Sequence, residues 1–348
     1  MFRWADGGNL RDFWQSNKKP QLNGSLVSDV VKQIRGLACA LDALHRYGGG
    51  GGSYRHGDIK PENILRVRKR SVVLPEIDVG VLKIADLGLA KHHNVGTEFR
   101  PQTSMRYTTY RYEPPEARPG VSTSLGRSRR QDIWSIGCVT LEFIIWLLYG
   151  TDALNEFNDN IVGEMKESSP YFEITVRGNE KTAKVHTAVN DTMEALSWDQ
   201  ECKVRENTAI KDLLSIVKKR LLVVNLGPAT VNDREAAASS PDGSETQVGF
   251  RASAQDLCLA LDEIIDKGKK IKRYWYTGKD RSRIQRLPKI PSQAPDSLLS
   301  PDSALGQGNP ARQKEPMLPP SKNITFVVPV GNQGPKVCKH RTKWITDG

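Results

Sequence analysis

Between residues 25 and 46, apolar side chains return every three or four positions: Val27, Val30, Val31, Ile34, Leu37, Ala38, Leu41 and Leu44. That spacing lines one face of a helix, and Ser28 is the expected cap of its start. Five successive glycines, Gly48–Gly52, then end the element, because a chain without Cβ atoms gains too little from regular structure to offset its lost freedom. Asn63–Val67 and Val81–Ala85 are short, rich in Ile, Leu and Val and bounded by turn residues, which predicts two β-strands. Ile133 to Tyr149 is long and apolar enough to suggest a membrane span, but Glu142 lies mid-segment, Asp132 stands at its start, and Ser135 and Thr140 interrupt it. Lipid burial of Glu142 is costly, so a buried core helix is predicted and no membrane span. Two more helices are expected near 208–224 and 253–267, the second capped by Ser253 with Leu257, Leu261, Ile264 and Ile265 on one face. The polar stretch 226–248 reads as a loop. Ten of the 20 prolines fall in the last 73 residues, so 276–348 is expected to be a disordered tail behind one domain at 1–275.

Charge sharpens that division. Of the formal net charge of +11, the segment 276–348 carries +7, from 12 basic and 5 acidic side chains. The basicity is thus largely a property of the tail. Lys267, Lys269, Lys270, Lys272 and Arg273 beside Tyr274, Trp275 and Tyr276 have a composition suited to nucleic acid or acidic lipid. Such a run at a helix end is more often a solvated face, and no specific nucleic-acid partner is expected. Cysteines at 39, 138, 202, 258 and 338 form no close pair in the sequence, which argues for free thiols rather than a zinc site or disulfide scaffold. No apolar stretch follows Met1-Phe2-Arg3-Trp4, so a secretory leader is not expected and an intracellular location, cytoplasmic or nuclear, is.

The chemistry concentrates in Arg55-His56-Gly57-Asp58-Ile59-Lys60-Pro61-Glu62-Asn63-Ile64-Leu65. A carboxylate (Asp58), an ammonium (Lys60) and an amide (Asn63) stand at i, i+2 and i+5. Phosphoryl transfer needs a group to orient a hydroxyl, a cation near the moving phosphate and an oxygen ligand for magnesium, and this set supplies all three. Further on, Lys83-Ile84-Ala85-Asp86-Leu87-Gly88 puts Asp86 at the end of an apolar strand, with a glycine two places later that permits a sharp turn. The glycine run 48–52 is no phosphate loop: it fits no dinucleotide-binding pattern and is not followed by the required lysine. It reads as an insertion.

These segments resemble the catalytic loop and the magnesium-binding motif of eukaryotic protein kinases. The resemblance continues in order. Thr109 to Glu116 is similar to the end of the activation segment, with Pro114-Pro115-Glu116 for the usual Ala-Pro-Glu. Asp132-Ile133-Trp134-Ser135-Ile136-Gly137 is similar to the start of the large lobe's buried helix. Arg251 resembles the arginine that pairs with the activation-segment glutamate, here Glu116, and Ala5-Asp6-Gly7-Gly8-Asn9-Leu10 resembles the adenine-binding hinge. Lys60-Pro61-Glu62-Asn63 has the form found in Ser/Thr-specific members.

The resemblance implies a mainly α fold with short β hairpins, the large C-terminal lobe of a kinase followed by the tail. It implies transfer of the γ-phosphate of Mg2+-ATP to Ser or Thr of a protein substrate. Asp58 would orient the hydroxyl, Lys60 neutralise the phosphate, Asn63 and Asp86 hold Mg2+, and Thr109 hold Asp58 and Lys60 in place. Leu65 would lie beneath the adenine, with Ala5 and Asn9 at the hinge. Gly57 replaces the usual arginine, so ordering by phosphorylation of Thr97, Thr103 or Ser104 is not expected by that route. Leu87 replaces a phenylalanine and should fit the same apolar pocket. The match begins at the hinge, which implies that this stretch of chain lacks the small lobe, is inactive by itself and presents an exposed cleft face to a protein partner. A non-catalytic kinase-like scaffold is the alternative.

Overall fold

A computed structural model of the chain describes residues 5–47, 53–69, 77–87, 91–93, 110–118, 121, 129–161, 171–177, 180–203, 207–226, 249–281 and 286–287. The expected glycine insertion, nearly all of the 226–248 loop and most of the tail lie outside them. Helix α1 (Leu10–Ser16) is short and opens with a capping box in which Asn9 and Asp12 satisfy each other's backbone N–H. Helix α2 (Gly24–Arg46) buries Val27, Val30, Val31, Ile34, Leu37 and Leu41, the face that the periodicity marks. Its cap is Asn23, whose side chain accepts from Leu26 N at 2.9 Å. Ser28, the expected cap, lies inside the first turns instead.

Helix α3 (Arg130–Asn160) is the hub. It is apolar all round because it is packed all round, and its most apolar window is wholly buried within the protein, as the mid-segment glutamate requires of a core helix. Trp14 of α1 meets Phe143 edge-on at 5.2 Å, and Phe13 meets Trp146 at 5.2 Å. The helix breaks its regular path at Gly150, where φ is +82°. A Cβ there would stand 2.3 Å from the Lys18 carbonyl oxygen; the glycine admits the α1–α2 connection, and Thr151 N donates to that oxygen at 2.8 Å.

Among the described residues, three two-stranded antiparallel ladders lie against the helices. Strand β1 (Ser53–Arg55) pairs with β4 (Lys91–His93), and β2 (Ile64–Val67) with β3 (Val81–Ile84) in the register Ile64↔Ile84 to Val67↔Val81. The β2 and β3 boundaries match the apolar runs to within a residue. A longer hairpin, β5 (Phe172–Arg177) with β6 (Glu180–Val185), leads into α4 (Thr187–Ser197). Its exposed alternate positions, Ile174 and Val176 among them, hide it from a periodicity search. Helix α5 (Ala209–Ile216) widens into a π turn at Val217–Leu221. The last helix among the described residues, α6 (Ala254–Lys270), opens with a Ser253–Asp256 capping box, as expected.

Helix α6 docks on α2. Arg35 makes a bidentate pair with Asp262, at 3.0 and 3.1 Å, and Cys39 meets Cys258 between the two helices. The basic run at the end of α6 is a solvated, paired face: Lys267 reaches Asp212 at 2.7 Å, and Tyr274 is fully buried with its hydroxyl on the same carboxylate. Packing continues past residue 275. Thr277 bonds Glu201, and Arg281 forms a bidentate pair with Asp199 at 2.7 and 3.0 Å while donating to Leu148 O. The first residues assigned to the tail from composition are therefore part of the packed unit, because a few charged residues can dock where an apolar count finds nothing.

Glu116 and Arg251 join as expected. The guanidinium reaches both carboxylate oxygens, at 2.5 and 3.1 Å, donates to Val223 O and Arg130 O, and lies 4.9 Å from the Trp134 ring centroid. Arg251 is 0% exposed at its side chain, so removing it strands a buried carboxylate and two carbonyls. Arg251→Ala should cost about 3–5 kcal/mol by urea denaturation, whereas Lys272→Ala on the exposed α6 end should change stability by less than about 0.5 kcal/mol.

Candidate functional site

The segment after β1 is held by a single carboxylate from the first turn of α3. Asp132, 1% exposed, accepts from Gly57 N at 2.9 Å through Oδ1. Its Oδ2 takes His56 N at 2.9 Å and His45 Nε2 at 2.8 Å. Three donors on one buried carboxylate compensate its lost hydration and fix the loop to the hub. Gly57 sits at φ +80°, a conformation that a side chain there would strain. Next to it, the fully buried His56 bridges two segments: Nε2 donates to Ala85 O at 3.0 Å, and Nδ1 accepts from Asp58 N at 3.3 Å. Only the Nε2–H tautomer satisfies both.

That frame brings the predicted groups together. Lys60 Nζ lies 2.9 Å from Asp58 Oδ2. Asn63 Nδ2 donates to the same oxygen and to Asp58 O, each at 2.9 Å. The 3-10 turn Pro61–Asn63 folds the amide back onto Asp58. Ala85 N donates to Asn63 O at 2.9 Å, so Asp86, the following residue, is placed beside Asn63 by the β2–β3 pairing. Asp86 is exposed and has φ +64°, a left-handed conformation that aspartate tolerates better than most residues. The amide of Asn63 spends its N–H groups on Asp58 and so presents its oxygen. An amide oxygen and a carboxylate are hard donors suited to Mg2+, which keeps waters and takes phosphate oxygens for the rest of its octahedron. Among the described residues no group of three His, Cys, Asp or Glu side chains forms a closed metal site.

At the other end of β2, Gly7 N donates to Arg66 O and Arg66 N to Gly8 O, both at 2.9 Å. This fixes the turn after the half-buried Ala5. Asn9 pairs with Leu65 as an isolated β-bridge, but its side-chain oxygen caps α1. Leu65 is half-buried. Leu87 is 57% exposed, not lodged in an apolar pocket as expected; the described residues put no apolar wall against it. Thr109, Thr97, Thr103, Ser104 and Gly88 lie outside the described residues.

A second polar assembly escaped sequence reasoning. Glu142, wholly buried at the middle of α3, accepts from Tyr112 OH at 2.9 and 3.0 Å and from Tyr171 OH at 3.1 Å. Arg11 Nε donates to Glu62 at 3.0 Å, and its NH2 reaches Tyr112 OH at 2.5 Å and lies 3.6 Å from Glu142. Burial pushes the Glu142 carboxyl up, more than Arg11, Arg111 and the two tyrosines pull it down. Burial works against the Arg11 charge, yet Glu142, Tyr112 and Glu62 together raise its pKa. Glu142 was legible only as an oddity in an apolar run; its partners come from three separate segments.

The protein kinase domain family matches residues 1–216. The chain belongs to this family. It is 30% identical over 142 residues to the serine/threonine-protein kinase unc-51 of Caenorhabditis elegans, covering 41% of the chain and 14% of that protein. It is 25% identical over 224 residues to the human serine/threonine-protein kinase Nek2, covering 64% of the chain and 45% of that kinase. With GLH-binding kinase 1 of Caenorhabditis elegans it shares 37% identity over 106 residues, 30% of the chain and 22% of that protein. The chain thus matches less than half the length of each of these kinases.

Two measurements probe the site's construction. Gly57→Ala should lose about 1–2 kcal/mol of stability because of its backbone angle. Gly36→Ala, inside α2 with nothing within 4 Å of a new Cβ, should gain about 0.5–1 kcal/mol; equal shifts would contradict the left-handed assignment. For Glu142 the folded pKa is raised, so its contribution to stability is full below the ordinary glutamate value and is lost as pH rises through the raised one. Glu142→Gln should therefore show a flatter stability profile than wild type from about pH 4 to about pH 7 in urea melts.

Proposed function

We propose that the chain contributes the large lobe and catalytic floor of a Ser/Thr protein kinase, moving the γ-phosphate of ATP to a hydroxyl of a protein substrate. The observation that carries this reading is the meeting of Asp58, Lys60 and Asn63 within hydrogen-bond distance, with Asp86 next to Asn63's backbone partner. Asp58 orients the hydroxyl and takes its proton late in the transfer, while Lys60 offsets the charge that develops on the phosphoryl oxygens. Asn63 and Asp86 are the residues that would hold Mg2+, which supplies charge neutralisation between the phosphates. Ala5 and Leu65 border the position of the adenine, and the role of holding Asp58 and Lys60 falls to Thr109 by family resemblance alone, since it lies outside the described residues.

A second reading is a non-catalytic scaffold that receives a protein partner at the cleft face. The exposure of Leu87 (57%), next to Asp86, favours it.

One pair of assays separates the readings. Mg-ATP titrated by calorimetry should bind at least about tenfold more weakly to Asp86→Asn, while exposed Asp159→Asn should bind as wild type does. With a kinase small lobe joined to the chain, transfer of radiolabelled phosphate to a generic basic protein, above an Asp58→Asn control, supports the enzyme. The same joined protein, folded, with no transfer and equal nucleotide affinity in Asp86→Asn and wild type supports the scaffold.

A further inference from the structure

Cys39 on α2 and Cys258 on α6 are 219 positions apart in the chain, yet their sulfur atoms lie 2.6 Å from each other. Unbonded sulfurs do not rest so close, and a disulfide bond spans about 2.05 Å, so the backbones already hold the two side chains at bonding reach. The helices themselves are locked in place by Arg35 and Asp262. Arg35 stands one turn before Cys39, and its positive charge is felt by both sulfurs. The two cysteines differ in access. Cys39 is half-buried, whereas Cys258 is 8% exposed, and burial together with Cys39 pushes the Cys258 thiol up to about 12. Cys138 and Cys202 are buried with their thiols pushed up by desolvation. None of these thiols takes part in the proposed transfer.

We propose that Cys39 and Cys258 are an oxidative modification site, closed to an intramolecular disulfide by a peroxide and reopened by a dithiol. The Cys39 thiolate, reachable and beside Arg35, attacks one peroxide oxygen; the O–O bond breaks, hydroxide leaves and Cys39 becomes a sulfenic acid. The Cys258 sulfur then displaces the sulfenic oxygen as water, giving up its proton in the step. The sum is two thiols and one hydrogen peroxide to one disulfide and two waters. Cys258 is the resolving partner because, at 8% exposure, it is shielded from peroxide while its sulfur already stands against that of the half-buried Cys39. The bond ties α2 to α6, and with them His45 at one end of the site to the segment that carries Arg251.

The test uses the full reduced chain, freed of added thiol and treated with one equivalent of hydrogen peroxide. Alkylation under denaturing conditions should count two fewer free thiols, from five, and a non-reducing digest should recover the peptides of Cys39 and Cys258 as one species. Dithiothreitol should restore both thiols. The closed form should melt several degrees higher, since the bond closes a long loop of the unfolded chain. Cys39→Ser, with Cys39→Ala as a second variant should serine disturb packing, should leave Cys258 alkylatable after peroxide. An unchanged thiol count, Cys39 over-oxidised to sulfinic acid beside a free Cys258, or a bond from either cysteine to Cys338 or to another chain would each overturn the proposal.

Discussion

The fold and the site share one constraint: the buried charge of Asp132 must be met by three N–H donors from two other segments. A carboxylate with no water around it is tolerable only when its lone pairs are filled, and losing a partner to such a group costs about 1–3 kcal/mol. The backbone of residues 56 and 57 therefore has one place to be. Because α3 is enclosed on every side, that place is fixed relative to the core rather than to a neighbouring loop. His45 brings the end of α2 to the same carboxylate, and α2 is in turn held by α6. The loop that carries Asp58 inherits the rigidity of the largest helices in the molecule, although it is itself irregular backbone.

His56 extends this control to the second strand pair. It contacts Asp58 N on one side and Ala85 O on the other, so the two acidic residues of the site are registered to each other through a single imidazole and through the β2–β3 ladder. Catalysis by positioning and electrostatics depends on such registration more than on any one group's reactivity. The arrangement also explains why residue 57 is best served by glycine: the chain must turn with positive φ while offering its N–H to Asp132.

Much of this was legible in the sequence, and the rest was hidden for identifiable reasons. The α2 face, the two strands at 64–67 and 81–84, the burial of α3 and the Ser253 cap follow from periodicity and turn chemistry, which are local. Asp58, Lys60 and Asn63 sit close enough in the chain for their spacing to predict their meeting. The Glu116–Arg251 pair was reached only through family resemblance, since 135 positions separate its members. No spacing rule links Glu142 to Tyr112, Tyr171 and Arg11, nor Cys39 to Cys258. The Asn23 cap was missed because Ser28 offered an equally good local signal nearer the apolar run. Leu87 was misplaced because an apolar residue's burial depends on what stands opposite, which the residue itself does not encode.

The docking of Arg281 on Asp199 and on the Leu148 carbonyl has a consequence for where the folding unit ends. The family match stops at residue 216, yet α6 packs on α2 beyond that point, and the segment through Arg281 covers the far end of α3. A cooperative unit is bounded by its last indispensable contact rather than by its last recognisable motif. A cut before 281 would leave the Asp199 carboxylate with its hydroxyl partner Tyr149 but without the Arg281 guanidinium. The packed part of this chain runs past its sequence signature by the length of a helix and a strap.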